Sequence, residues 1–188
     1  MILAMRVGIA DHYGWAVAVA VDDDFSVVDR RRIELLDPDL PNAPVEHEIK
    51  GLDDAAAAAL VQSVRASAMR VSAASLDELA RALPAPIASI AVRAWPSEFP
   101  ADLATQRRAP YDSRADGIMY RQVLAEVAHS RGWDVQLYDA KHVESQAATR
   151  LGARADDVLY GPRAHLGAPW AKDHRVALAA VVVNSYSS

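Results

Sequence analysis

Three apolar segments follow one another at the start of the chain, and the gaps between them are too short to hold a crossover helix. Residues 5–11 (MRVGIAD) end on a carboxylate, and His12, Tyr13 and Gly14 read as a turn. Residues 15–21 (WAVAVAV) alternate large and small apolar side chains, so one face carries Trp and Val and the other Ala. Asp22–Asp24 mark a second turn, and residues 26–36 (SVVDRRRIELL) make a third strand with a charged middle. Short turns between consecutive strands permit only antiparallel pairing, so this part predicts a meander.

The rest of the chain alternates helix and strand. Residues 37–51 hold Pro38, Pro41 and Pro44 and no helical period, which predicts a loop. Asp53 and Asp54 precede the alanine-rich stretch 55–69, whose composition favours a helix. The Ser75-Leu-Asp-Glu78 sequence reads as a capping box that opens a short second helix before Pro84. A strand is expected over 87–95 (IASIAVRAW) and an irregular segment over 98–113. Next come an amphipathic helix over 114–131 stopped by Gly132, and a strand over 133–138. A helix over 143–151, a loop over 156–172 and a last apolar helix over 173–186 complete the pattern. The order β-β-β-α-β-α-β-α predicts an α/β domain over 1–188. Its core is a mixed five-stranded sheet with helices on both faces, the order of the ribonuclease H-like fold. Fold order alone names no reaction.

Composition removes several function classes. The chain has no cysteine, so disulfides, thiolate metal sites and cysteine nucleophiles are excluded. Twenty basic residues against 25 acidic ones give a net charge of −5, which argues against a protein that coats DNA along its whole surface. The longest apolar run, residues 176–183, is far short of the ~20 residues of a membrane span, and the run before Arg6 is too short for a signal-peptide core. A cytoplasmic protein is expected. Walker, G-x-G-x-x-G, G-x-S-x-G and H-E-x-x-H motifs are absent, so no nucleotide cofactor is expected and serine hydrolases of the elbow type and zincins are disfavoured.

Three segments carry a resemblance. Residues 115–158 (ADGIMYRQVLAEVAHSRGWDVQLYDAKHVESQAATRLGARADDV), residues 171–182 (AKDHRVALAAVV) and the opening VGIADHYGWAVAV resemble the middle, the final helix and the first hairpin of RuvC-type Holliday-junction resolvases. The resemblance implies a nuclease acting on structured DNA. Its carboxylates, from the first strand, the fourth strand and the last helix, would hold two divalent metals, Mg²⁺ or Mn²⁺. Asp11 matches the first-strand aspartate, displaced by one residue from the usual glycine-isoleucine-aspartate order. Asp173 matches the first carboxylate of the last helix, where a helix N-cap is its plainer role, and His174 beside it is a candidate metal ligand. His12 and His174 would join them in an Asp/His cluster suited to Mn²⁺ or Zn²⁺.

The other ligand positions depart from the family pattern. Val176 stands where a second helix carboxylate belongs, and Arg93 where the fourth-strand glutamate belongs. Arginine there would repel a divalent cation and could block the site by pairing with Asp11 or Asp173. Glu98, Asp112 and Asp116 are the substitutes within reach along the chain. Arg107, Arg108, Arg114 and Arg121, with Tyr111 and Tyr120, form the candidate nucleic-acid patch, and Lys141 adds a further cation. The resolvases often dimerise, which implies a homodimer, with the Trp170 region as a candidate interface. Two readings stand: an atypical metal-dependent nuclease, and a non-catalytic binding or assembly module on the same fold.

Overall fold

A computed structural model describes residues 4–185. Residues 1–3, part of the apolar run before Arg6, lie outside the described residues, as does Tyr186 at the expected end of the last helix.

The meander forms as the sequence predicts. Strands β1 (Met5–Asp11), β2 (Trp15–Val21) and β3 (Val27–Glu34) pair antiparallel in succession. Gly14, at φ +83°, takes the left-handed backbone that the first turn needs. Strands β4 (Ile87–Arg93) and β5 (Asp134–Tyr138) then add parallel to β1 and to each other, giving the order β3-β2-β1-β4-β5.

The connections differ from the sequence reading in several places. The two expected helices after residue 53 are one, α1 (Asp54–Ala82), capped by the Asp53 carboxylate, which accepts from Ala56 N–H. Ser75 caps nothing, because its hydroxyl donates to the Glu34 carbonyl and ties the middle of α1 to the end of β3. The 37–51 loop contains a π-helical turn, Pro44–Glu48, and a 3₁₀ turn, Ile49–Gly51. After the short α2 (Leu103–Gln106), α3 (Asp112–Ser130) and α4 (Val143–Leu151), the expected late loop holds two further helices, α5 (Ala155–Tyr160) and α6 (Pro162–Leu166). Gly161-Pro162 reads as a turn in sequence, but proline at a first helical position starts α6. The last helix is α7 (Lys172–Ser185).

Alternation along the strands sorts the core into two layers. Met5, Val7 and Ile9 pack with Ala16, Ala18 and Ala20 against α1 and α3. Ala10, Val17, Val19 and Val21 pack with Ala91 and Tyr138 against α4, α5 and α7. Helix α7 lies unusually close to the sheet. A Cβ on Gly8 would stand 1.8 Å from the Ala177 carbonyl oxygen, so only glycine admits the helix at this height. That approach carries the first turn of α7 to the C-terminal ends of β1 and β4.

Candidate functional site

The parity that builds the core also aims the polar residues where β1 ends. Asp11 is paired with Ala16 and continues the phase of Met5, Val7 and Ile9, so it faces α3. There Arg121 donates from Nε to Asp11 Oδ2 at 2.8 Å, with the aspartate side chain 3% and the arginine side chain 15% exposed. Asp11 Oδ1 is buried and has no hydrogen-bond partner among the described residues. His12 follows the opposite phase, that of Ala10, and reaches α7, where its Nε2 lies 2.9 Å from Asp173 Oδ2. Asp11 and Asp173 therefore meet at one edge of the sheet, from two layers, and each is already engaged by a different partner.

Arg93 ends β4 in the phase of Ala91, on the side of α7. It lines both lobes of the cleft at this edge, a larger one of about 760 Å³ and a smaller one of about 300 Å³. The structure does not pair it with Asp11 or Asp173; Arg121 and His12 take those places. Beneath the cleft, the buried Tyr138 hydroxyl donates to the Ile9 carbonyl, and burial first, then the Asp11 charge, pushes the phenol up. At the outer rim His12 stacks on Trp15 with ring centroids 4.1 Å apart, and the Arg32 guanidinium lies over the same indole at 4.1 Å.

Several sequence candidates lie elsewhere. Asp173 is the second residue of α7, so it is not the N-cap. His174 is buried and turned away from the cleft. Its Nδ1 accepts from Ala171 N–H, its ring tilts against Trp170, and burial lowers its pKa, with Arg30 adding to the effect. Trp170 is 4% exposed and donates its indole N–H to the Leu159 carbonyl, so its ring belongs to the core. Asp116 is buried and accepts from the amides of Val45 and Glu46, which fastens the π-helical turn to α3. Asp112 accepts from Ser113 N–H, and neither it, Asp116 nor Glu98 lines the cleft. The expected arginine patch divides. Arg114 and Arg121 line the larger lobe, whereas Arg107 pairs with Asp54 and binds the Ile49 and Leu52 carbonyls, and Arg108 is exposed away from the cleft. Lys141 lines the smaller lobe beside Lys172, a residue that the sequence reading passed over.

A pair of divalent cations needs several oxygen donors converging on one volume. Among the described residues no group of three or more His, Asp or Glu side chains is placed to hold a metal ion. One oxygen of Asp11 is bonded to a guanidinium, Asp173 is bonded to His12, and Arg93 stands at the cleft with no ion-pair partner among the described residues. These residues do not fit the metal pair that the resemblance implies.

No family model matches the sequence, and no curated protein matches it. Solved structures do. Thermus thermophilus RuvC in complex with a Holliday junction substrate superposes with a TM-score of 0.52 at 14% identity, over 97% of this chain and 92% of that one. A second Thermus thermophilus RuvC structure gives 0.52 at 15% identity, over 96% and 93%. The chain has the ribonuclease H-like fold of RuvC type. Within that RuvC-type fold the mixed sheet and the two helical layers are as the sequence predicts, and no helix among the described residues is long and apolar enough to cross a membrane.

Proposed function

We propose that this protein is a nucleic-acid-binding module on a RuvC-type fold, gripping the phosphates of structured DNA at the sheet edge where β1, β4 and β5 end, with a degenerate site that does not carry out two-metal hydrolysis. The observation that carries this reading is the buried ion pair of Asp11 with Arg121, which places a fixed positive charge where the resemblance implies a metal. Arg93, Arg114, Lys141 and Lys172 support it. All four are exposed at the cleft and have no ion-pair partner among the described residues. Cations of this kind contact phosphate oxygens and displace counterions, which gives affinity without base specificity. The likeness to a RuvC bound to a junction makes branched DNA the first substrate to try.

The alternative, a metal-dependent nuclease using Mg²⁺ or Mn²⁺, is favoured by one observation: Asp11 and Asp173 border the same small lobe. The reading is tested by fluorescence anisotropy with a labelled four-way junction in EDTA. The wild type is expected to bind, and the Arg93→Gln/Arg114→Gln variant to bind at least tenfold more weakly. Equal binding by both proteins, or no binding at micromolar protein, would overturn it.

A further inference from the structure

The cleft does not end at Asp11. Its larger lobe shares Asp11, His12, Arg93 and Tyr138 with the smaller lobe next to α7. On the opposite side it shares Tyr13, Trp15 and Asn42 with a third hollow of about 320 Å³, which reaches Arg32 and Glu34 on β3. The three hollows join into one trough across the sheet edge that holds the C-terminal ends of β1, β3, β4 and β5 and the start of β2, which at the usual strand spacing of ~4.8 Å is roughly 20 Å long.

Two properties of this trough are independent of each other. Its cations are spread along it: Lys141 and Lys172 at one end, Arg93 and Arg114 in the middle. Three of its carboxylates are paired with arginines, Asp11 with Arg121, Glu34 with Arg32 and Asp37 with Arg70, while Asp139 and Asp173 are hydrogen-bonded to His142 and His12. Meanwhile half-exposed rings of His12, Tyr13 and Trp15 line its middle, and the Trp15 ring is held in place by its stack with His12 and by the Arg32 guanidinium. Aromatic walls have no use for a duplex, whose bases are already stacked and paired. They match the free faces of unpaired bases, while spaced cations match the phosphates of the same strand.

We propose that the trough takes a single-stranded nucleic acid segment, laid across the sheet edge with its phosphates on Arg93, Arg114, Lys141 and Lys172 and its bases against the His12–Trp15 stack and Tyr13. This rests on the nucleic-acid-binding reading above and narrows it from structured DNA in general to an unpaired strand, such as one exposed at a branch. With four phosphate contacts, the log–log salt slope for a single strand is about −3, so affinity falls about 50-fold between 50 and 200 mM salt.

The test is anisotropy in EDTA with four labelled probes: a 20-mer of thymidine, a 20-mer of uridine, a 20-base-pair duplex and a four-way junction. The proposal expects at least one 20-mer to bind tenfold or more tightly than the duplex, with the salt slope above. Which 20-mer binds better distinguishes DNA from RNA as the source of the strand, and either result supports the proposal. Arg93→Gln, at an exposed position, should reduce the slope by about 0.7, and Trp15→Phe should remove strand-induced quenching of tryptophan emission. Thermal melts of both variants confirm that they are folded. If duplex or junction binds and neither 20-mer does, the single-strand proposal is overturned and the broader reading stands. If no probe binds, both are overturned.

Discussion

Replacing Arg121 by methionine should damage this protein far more than the loss of a surface arginine would. The guanidinium of Arg121 is mostly buried and is the only hydrogen-bond partner of the Asp11 carboxylate among the described residues, since Asp11 Oδ1 has none. Removing one member of a buried pair leaves the other as an uncompensated charge, at a cost of about 3–5 kcal/mol. The partial exposure of Arg121 places the expected value near the lower bound, about 3 kcal/mol. For a chain of this size that lowers Tm by about 6–12 °C. Asp11→Asn in the wild-type background should also destabilise, because Arg121 then loses its counter-charge. In the Arg121→Met background the same Asp11→Asn change should stabilise, because it removes the stranded carboxylate. Urea denaturation of the four proteins forms a double-mutant cycle, and the sign reversal is its signature. A site built to hold metal ions behaves otherwise: neutralising Asp11 relieves repulsion and raises the stability of the metal-free protein. Arg121→Met within about 0.5 kcal/mol of the wild type, or a stabilising Asp11→Asn single change, would refute the ion-pair account.

Two further outcomes follow from the packing. Gly8→Ala drives a methyl group into the Ala177 backbone, which cannot yield as a side chain would, so α7 must lift; the expected loss is about 3 kcal/mol or more, read by chemical denaturation. Asp116 is held by burial at a pKa of about 6 against an ordinary 3.8, despite the Val45 and Glu46 amides that favour its charge. The folded state therefore keeps this proton over a range in which the unfolded chain has released it. Its contribution is greatest below pH 4 and is lost as pH rises through about 6, by about 3 kcal/mol at 1.4 kcal/mol per pH unit. The difference in stability between wild type and Asp116→Asn, measured from pH 4 to 7, should show this slope; a flat difference would refute it.

What the sequence made legible was whatever is written as local periodicity. The meander, β4, β5, α3 and α7 each carry their own signal of alternation, helical spacing or flanking glycine and proline. The same signal misleads where a tertiary contact overrides it. Ser75 has the spacing of a cap, yet its hydroxyl is taken by the Glu34 carbonyl, and α1 runs on without a break. In the candidate site, Asp11, Asp173 and Arg93 were readable as a group because the resemblance places those three positions at one edge. The partners were not. That Asp11 would bond Arg121 and Asp173 would bond His12 depends on strand phase: the one-residue displacement of Asp11 turns its side chain from the α7 layer to the α3 layer and gives the α7 side to His12. Alternation along β1 contained that information, but only the position of α3 over the sheet shows which arginine waits there. Lys172 and the Arg32–Trp15–His12 stack left no mark in the sequence, since they depend on how α7 and β3 meet the first turn.

The most direct test of the central claim, that an arginine-paired edge has replaced the metal centre, is a cleavage assay on a labelled four-way junction over a range of Mg²⁺ and Mn²⁺ concentrations, run side by side with wild type and Asp11→Asn. The account predicts that neither protein produces cleavage products above a protein-free control at any metal concentration. Metal-dependent incision by the wild type that Asp11→Asn abolishes would contradict it.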